Sequence, residues 1–301
     1  MRIEISNVYH YTSLETFFKL LDGIQDDNFI MYASRISDLN DSSELKYGFR
    51  KIWKLLPYLE DMIGVKNEYR LSKLPEKDNS ISEEVFLKEL IKNVIASRYA
   101  PFVLSFSEHK DYLPMWSLYG SHGNGVALGF KMQYTFVDNN NKIWDLTKWD
   151  NKMPHTLKIS YGKYKLKDNA LRYAEIKYKE YNDYVECVTN EEELLKKQLG
   201  LISDICVIAG SLLKHPSFEY EKESRYFCFA PSTKDIKFRT NAKGNIIPYL
   251  EVKIPFSLLS KVIIGPCRAP QKTEDILKIR MNQIGLDPIK IEKSKIPYRE
   301  Y

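Results

Sequence analysis

The chain has 301 residues, of which 44% are hydrophobic and 28% charged, as is ordinary for a globular protein with a packed core. Its formal charge of +5 favours the approach of an anionic partner but is too small to indicate nucleic-acid binding by itself. Four widely spaced cysteines argue against a zinc site or a disulfide framework, and the lack of a leader pattern or long apolar run favours a cytoplasmic protein without membrane segments.

The first half of the chain predicts short strands that alternate with amphipathic helices. A strand at residues 8–11 runs into a helix, for which Thr12 and Glu15 form a capping-box pattern and Gly23 the stop. Further elements follow as a strand at 29–33, a helix from Leu45 to near Pro57, a charged surface loop at 64–81, a helix at 82–97, and buried strands at 101–107 and 125–130.

The second half predicts a long helical segment and then more strands. Residues 168–214 are helical in pattern, and residues 224–230 alternate as a strand does. Strands at 247–254 and 261–265, a helix at 273–284 and an edge strand near 288–292 complete the set. Because strands and helices do not alternate regularly, we predict a mixed, split α+β fold rather than a doubly wound sheet. We expect one domain over residues 1–301, with a helical insertion at about 163–215.

The motif at residues 9–13 is the first candidate for a site. His10 lies on the predicted strand, and Thr12 lies where the following helix begins, a junction whose free N–H groups favour phosphate or another anion. His10 could bond a ribose hydroxyl or an amide there. The alternative is that His10 is a satisfied side chain at the end of a strand and Thr12 is only a cap.

A second candidate combines Ser105 and Ser107 with Trp116 and Tyr119. Two serines on one strand face, followed by two aromatic residues three positions apart, could line a slot for a flat heterocycle such as nicotinamide or adenine. The alternative is that Trp116 and Tyr119 are core residues at helical spacing.

A third candidate is the stretch that holds Glu219, Glu221, Glu223 and Arg225. On a strand these four side chains would share one face. Three neighbouring carboxylates repel each other, which raises at least one pKa or requires a cationic partner. The alternative is an exposed strand start, but Glu223 and Arg225 adjoin apolar residues and are expected near the core.

The turn at residues 37–44 is a fourth candidate, with two interpretations. It could cap the next helix through Asn40 or Asp41, or its carboxylates could bind a divalent metal. Capping is favoured because the spacing is not typical of a metal site. A P-loop, a G-x-G-x-x-G loop, an H-E-x-x-H pair and a G-x-S-x-G elbow do not occur in the sequence.

Taken in order, these motifs resemble the bacterial domain-of-unknown-function family 2971. The matching stretches are YHYTS at 9–13, LNDSSE at 39–44, LSFS at 104–107, MWSLYG at 115–120, GVALGF at 125–130, E-x-E-x-R at 221–225 and VIIGP at 262–266. The resemblance spans about 8–266 apart from the helical insertion. Ser42 stands where the family commonly has proline, and His122 does not fall on the family's usual histidine, which weakens a role for the 38–44 turn and for His122.

That family in turn resembles the ADP-ribosyltransferase superfamily, which implies a split α+β sheet and NAD as co-substrate. The resemblance implies catalytic roles for His10, Tyr119 and Glu223, with Ser107 as the alternative in the middle position. It further implies that Glu223 stabilises the positive charge that develops when the nicotinamide–ribose bond breaks. The implied cofactor-binding residues are His10 for a ribose, Tyr11 and Thr12 near phosphate or amide groups, Ser107, Trp116 or Tyr119 against nicotinamide, and Arg225 against Glu223 or phosphate.

The resemblance also implies a partner and a biological role. It implies transfer to a macromolecular acceptor, a nucleic acid or a protein, by a bacterial toxin or antiviral-defence effector that an antitoxin or regulatory protein could control. Two other interpretations stay open. One is a non-catalytic module that binds a ligand or partner, and the other is a metal-dependent nuclease that uses Asp38, Asp41 and Glu44, with Glu221 as a further ligand.

Overall fold

The computed structural model describes residues 4–39, 44–77, 83–96, 100–134, 156–161, 169–188, 190–241, 244–286 and 289–297. The strands are β1 (Glu4–Thr12), β2 (Asn28–Arg35), β3 (Phe102–Ser107), β4 (Val126–Tyr134), β5 (Leu157–Lys158), β6 (Ser160–Tyr161), β7 (Leu213–Lys214), β8 (Glu223–Cys228), β9 (Lys237–Thr240), β10 (Ile246–Pro255), β11 (Leu259–Ile264) and β12 (Lys290–Lys293). The helices are α1 (Leu14–Asp22), α2 (Glu44–Ile63), α3 (Leu74–Lys77), α4 (Glu83–Ala96), α5 (Leu113–Tyr119), α6 (Asn169–Val185), α7 (Glu191–Ser211) and α8 (Pro270–Gln283).

Ten of the described strands form a mixed sheet, which confirms the predicted α+β class, and β6 pairs with β7 in a separate parallel ladder. Over the described residues the order is β12-β11-β4-β1-β3-β2-β10-β9, and β8 pairs with both β3 and β5. The pairing of β11 with β12 is parallel, whereas the other pairs of this sheet are antiparallel. In the part of the chain that the structure describes, no helix is long and apolar enough to cross a bilayer.

The sheet branches at β3, and this branch creates the site. On one side β8 pairs with β3 along the whole of Phe102–Ser107. On the other side β1 meets β3 at the pair Tyr9↔Ser107, and β2 meets it at the opposite end, beside Val103. Because β1 and β2 diverge between these two points, a wedge opens against the middle of β3.

Each face of the sheet carries its own hydrophobic cluster. Helices α1 and α8 cover one face, where Phe17, Leu128 and Leu277 belong to one buried cluster. On the other face, Val103 and Phe227 pack with residues of α2, α6 and α7. A smaller cluster on that second face, built around Trp116 of α5, covers Tyr9 and Tyr11. The wedge therefore opens between two helical coverings of the same face.

The predicted helical insertion belongs to the core of the protein. Helix α7 crosses α2 so closely that a Cβ atom on Gly48 would lie 1.9 Å from the carbonyl oxygen of Gly210. Such a contact requires glycine at this position of α2, because any larger residue would collide with backbone. Beyond α7 the chain enters β7, which ends at Lys214. The segment thus closes one face of the sheet and delivers Lys214 to the wedge. Its residues 163–168 and 189 lie outside the described part.

Two local predictions were wrong, and one strand was missed. The helix α1 is capped by Ser13, whose hydroxyl accepts a hydrogen bond from the Thr16 amide, because β1 continues through Thr12. The predicted surface loop at 64–81 contains buried Val65, Leu71 and Leu74 in its described part, so it adds to the core. The short strand β9 was not predicted, since its four residues are all exposed and alternate poorly.

Candidate functional site

A cavity of about 150 Å³ lies in the wedge between β1 and β3. Residues of β1, β3, α5, β7 and β8 line it, together with Leu39 after β2 and Phe218 and Glu221 before β8. The structure brings His10, Tyr119 and Glu223 together here, although each of the three is more than a hundred residues from the other two in sequence. Tyr11, Ser107 and Arg225 line the same cavity.

The floor of the cavity is a buried group of two carboxylates and two cations. Arg225 donates from Nε to Oε1 of Glu223 over 2.8 Å and from Nη2 to Oε2 over 2.9 Å. Lys214 Nζ donates to Oε2 of Glu221 over 2.5 Å and to Oε2 of Glu223 over 3.1 Å. All four side chains are buried, with Arg225 fully so. These four charges can be buried together because each carboxylate is paired with a cation.

The arrangement keeps Glu223 ionised. Burial alone would raise the pKa of its carboxyl, but the guanidinium of Arg225 and the ammonium of Lys214 outweigh burial and hold the pKa at about 2. The Ser105 hydroxyl, which also bonds the carboxylate, lowers the pKa further. At neutral pH the cavity floor therefore presents a permanently charged carboxylate rather than a proton donor.

The place of Lys214 at the cavity floor was not predicted from the sequence. Lys214 follows the apolar end of α7 and lies in a strand of only two residues, so neither periodicity nor a motif marks it. A signal existed, because adjacent carboxylates on one face require a cationic partner. A lysine at the end of an apolar run is a natural candidate for that partner, since burial of its charge needs compensation.

The predicted strand geometry of the acidic stretch was wrong. Residues Pro216–Glu221 form a 3₁₀ helix, Lys222 has a left-handed φ of 41°, and the strand begins only at Glu223. Glu219 is consequently exposed and takes no part in the floor. The turn at Lys222 still brings Glu221 and Glu223 to the same ammonium, by a route that simple strand alternation does not provide.

His10 occupies the wall beside β3. Its Nδ1 lies 3.0 Å from the carbonyl oxygen of Ser105, and its ring meets Phe106 edge-on with centroids 5.8 Å apart. Burial lowers the pKa of His10, and the bond to Ser105 only partly offsets this, so the imidazole is neutral at pH 7. Because a carbonyl only accepts, Nδ1 carries the proton and Nε2 is left as a hydrogen-bond acceptor.

Tyr119 and Ser107 hold the Glu221 segment in place. The Tyr119 hydroxyl donates to Oε1 of Glu221 over 2.9 Å, and burial, followed by the charge of Glu221, raises the pKa of this phenol. The Ser107 hydroxyl donates to the Glu221 carbonyl over 2.6 Å and accepts from the His109 amide. The Tyr11 hydroxyl donates to the His109 carbonyl over 2.8 Å, so the wall from β1 and the loop after β3 are tied together.

Trp116 and Thr12 lie outside the cavity lining. Trp116 has no exposed surface, meets Tyr11 edge-on at 4.8 Å and donates from Nε1 to Asp111 over 2.7 Å. Because its ring is fully buried, Trp116 cannot stack on a ligand, and it is a core residue, the second of the two alternatives that its spacing left open. Thr12 is buried in β1 opposite Val126, so the predicted contact of Thr12 with phosphate is not supported.

Half of the turn at 37–44 falls outside the described residues, since Asn40, Asp41, Ser42 and Ser43 are not described. Within the described part, Asp38 Oδ2 accepts hydrogen bonds from Arg35 Nε over 2.6 Å and from Ser37 Oγ over 2.8 Å. Across the described ranges, no three His, Cys, Asp or Glu side chains are grouped so that they could hold a metal ion.

Comparison with known proteins adds one similarity. Residues 115–226 match the family described as "Protein of unknown function (DUF2971)", in agreement with the resemblance seen in the sequence. The matched segment runs from α5 to β8 and includes Tyr119 and the whole cavity floor, whereas His10 precedes it. No curated protein and no solved structure matches the chain.

Proposed function

We propose that the protein is an ADP-ribosyltransferase-like enzyme, which cleaves the nicotinamide–ribose bond of NAD and transfers ADP-ribose to a macromolecule. The observation that carries the proposal is an ionised, buried Glu223 in one cavity with the neutral imidazole of His10 and the phenol of Tyr119. The branch of the sheet at β3 supports the proposal, because the superfamily is expected to have a split sheet. The match of residues 115–226 to DUF2971 supports it too, because that family resembles the ADP-ribosyltransferases.

The charge state of Glu223 suits this reaction. As the bond from nicotinamide to ribose breaks, positive charge develops at the anomeric carbon, and a fixed carboxylate nearby stabilises that transition state. A carboxyl group whose pKa is about 2 is ionised at every physiological pH, so it acts electrostatically and not as a proton donor. Arg225 holds both oxygens of Glu223 and thereby fixes its orientation before substrate arrives.

The wall of the cavity suits a ribose and a flat ring. The free Nε2 of His10 can accept a hydrogen bond from a ribose hydroxyl, and Tyr119 supplies an aromatic surface. A cavity of about 150 Å³ is the size that admits one benzene ring in other proteins. The enclosed space therefore suits the nicotinamide end of NAD, with the remainder of the dinucleotide along the cavity mouth.

The test is NAD consumption by Glu223→Gln. Loss of an electrostatic stabiliser reduces the rate on the order of 100-fold or more, so we expect release of nicotinamide to fall at least that far. Glu219→Gln provides the matched control, because Glu219 lies in the same stretch but is exposed. Parent protein, incubated with NAD labelled in its adenylate part and with a cell extract, should transfer label to RNA, DNA or protein. Equal turnover by parent and Glu223→Gln would remove the assignment.

A second candidate function is a non-catalytic module that binds a small ligand or a partner. It is favoured by the hydrogen bonds of Glu223, because both of its carboxylate oxygens already accept from Arg225 or Lys214. This candidate predicts no NAD turnover by the parent protein and ligand binding that survives Glu223→Gln in a correctly folded variant.

The resemblance extends the first candidate to a cytoplasmic bacterial toxin or defence effector that an antitoxin could control.

A further inference from the structure

A patch of lysines lies on the same sheet face as the cavity, at the β4–β11–β12 end. It consists of Lys110, Lys261 and Lys290, which contact Glu292, together with Lys131 on β4, and is called the lysine patch below. Strand pairing sets its positions: Lys261 pairs with Gly129 and with Lys290, while Lys131 lies two residues beyond Gly129 on the same face of β4.

The patch has an excess of positive charge. Glu292 bonds Lys110 over 2.5 Å, Lys290 over 2.9 Å and Lys261 over 3.3 Å, so a single carboxylate serves three ammonium groups. With Lys131, which is exposed, the described residues of the patch carry a net charge of +3. The side chains of Lys110 and Lys290 are 47% and 68% exposed, so this charge faces solvent.

The patch continues into the cavity wall. Gly129 makes this possible, because a Cβ atom there would lie 2.9 Å from the Lys261 side chain and 3.0 Å from the ring of Tyr9. Lys261 and Tyr9 therefore approach each other across the bare backbone of β4, and Tyr9 lines the cavity. Lys110 follows the end of β3, which forms another part of the cavity wall.

We propose that the lysine patch binds the phosphodiester backbone of a single-stranded nucleic acid. Several ammonium groups spread over adjacent strands match a chain of phosphates better than a single anion. The patch is an open sheet face rather than a protruding helix or ribbon, and so lacks an element that enters the groove of a duplex. Because the contacts are to phosphate, binding is expected to depend on salt and little on sequence.

The same geometry identifies the acceptor, and this step rests on the proposed function. A strand held on the lysine patch contacts Lys261, whose neighbour Tyr9 lines the cavity where the ribose of NAD would be activated. Only an unpaired nucleotide could enter a cavity of about 150 Å³, since a base in a duplex must first leave the stack. Nucleic acid is therefore favoured over protein as the acceptor.

The experiment compares two variants with the same loss of charge. The patch variant carries Lys110→Gln, Lys131→Gln, Lys261→Gln and Lys290→Gln. The control variant carries Lys66→Gln, Lys179→Gln, Lys196→Gln and Lys237→Gln, four ion-paired lysines that are each more than half exposed. Binding of a fluorescent 20-nucleotide RNA and DNA of mixed sequence is measured by anisotropy between about 50 and 200 mM salt. A triple variant that leaves Lys261 intact covers the case in which the patch variant does not fold.

We expect the parent and control proteins to bind the oligonucleotides, and the patch variant to bind at least tenfold more weakly. The slope of log affinity against log salt should fall by about 2 to 3 in the patch variant, because each lost phosphate contact removes about 0.7 on a single strand. Equal loss in the control variant would overturn the proposal, as would preference of the parent for duplex DNA or for vesicles of anionic lipid.

Assays with labelled NAD distinguish failure of the nucleic-acid surface from failure of the proposed function. If the parent binds the oligonucleotides through the patch but consumes no NAD, the proposed function fails and the nucleic-acid surface stands. If the parent transfers ADP-ribose to protein and the patch variant does so at the same rate, the surface proposal fails and the proposed function stands. Transfer to RNA or DNA that is lost in the patch variant, with NAD hydrolysis kept, supports both.

Discussion

Two regions of the molecule bury carboxylates, and they do so differently. In the helical layer, fully buried Glu60 accepts hydrogen bonds from the Tyr178 hydroxyl over 2.5 Å, the Ser72 amide over 3.0 Å and the Ser72 hydroxyl. At the cavity floor, Glu221 and Glu223 are compensated by the full charges of Lys214 and Arg225. The first carboxylate lies within the packed helical core, whereas the other two line a cavity.

The difference indicates that Glu60 has a structural role, whereas the carboxylates of the cavity floor are placed where they could act on a ligand. Neutral donors around Glu60 join the segment after α2 to α6, and they are not among the residues that line the cavity between β1 and β3. Ammonium and guanidinium groups at the cavity floor instead hold a charged carboxylate where a ligand could meet it. If this contrast is correct, substitutions in the two regions should separate stability from activity.

The largest effect on stability is expected for Lys214→Met. Two carboxylates that shared one ammonium would then face each other in a buried site, and the loss of one partner from such a group costs about 3 to 5 kcal/mol in the free energy of unfolding. Urea denaturation at pH 7 and pH 5 measures it. The deficit should shrink at pH 5, because one carboxyl group can take up a proton there.

Lys214→Arg is the matched control for this prediction. It keeps the positive charge and should recover most of the stability, although guanidinium geometry differs from that of ammonium. A Lys214→Met protein that is as stable as the parent at pH 7 would show that the floor does not depend on this cation.

A smaller loss, about 1 to 3 kcal/mol, is expected for Tyr178→Phe. The substitution keeps the ring and removes the hydroxyl that donates to Glu60 and accepts from the Leu71 amide, which leaves buried polar groups unsatisfied. Tyr184→Phe is the control, since Tyr184 lies on the same helix and is 49% exposed. NAD turnover and oligonucleotide binding should be unchanged in both, and a loss of either in Tyr178→Phe would contradict the contrast between the regions.

Periodicity and side-chain chemistry predicted much of this fold because they depend on local patterns. Most helices and strands were found, and so was the association of the segments around His10, Tyr119 and Glu223. The branch at β3 could not be predicted, because it depends on which edges pair over long separations in sequence. The role of Lys214 was missed for a related reason: its partners, Glu221 and Glu223, flank a left-handed residue, Lys222, whose conformation no pattern signals.

The same limit explains the assignment of Trp116. Its spacing to Tyr119 fits both a ligand slot and a core helix, and only tertiary packing decides between them. The short helix α5 turns Tyr119 towards Glu221 and buries Trp116 against Tyr11, because residues three apart on a helix share a face only approximately. A pattern in sequence thus located a segment that lines the cavity but could not say which of its rings meets the cavity.

The smallest effect is expected from the titration of His10. Its pKa in the folded protein is lowered, so between that pKa and the ordinary value near 6.5 the unfolded chain binds a proton that the folded protein does not. Stability is therefore full above about pH 6.5 and falls as the pH is lowered through this window. One proton accounts for at most about 1.4 kcal/mol per pH unit of this slope.

His10→Asn should flatten that slope while its amide still donates to the Ser105 carbonyl. His215→Asn is the matched control, because His215 is exposed and asparagine can keep its hydrogen bond to the Ser217 amide. The pKa of His109 is lowered too, first by burial and then by Lys222, so it contributes a slope of the same sign to both variants. Unfolding free energies measured from pH 5 to pH 7.5 that keep the parent slope in His10→Asn would mean that folding does not lower the pKa of His10. The fold would then not favour the neutral imidazole that accepts a hydrogen bond from a ribose hydroxyl.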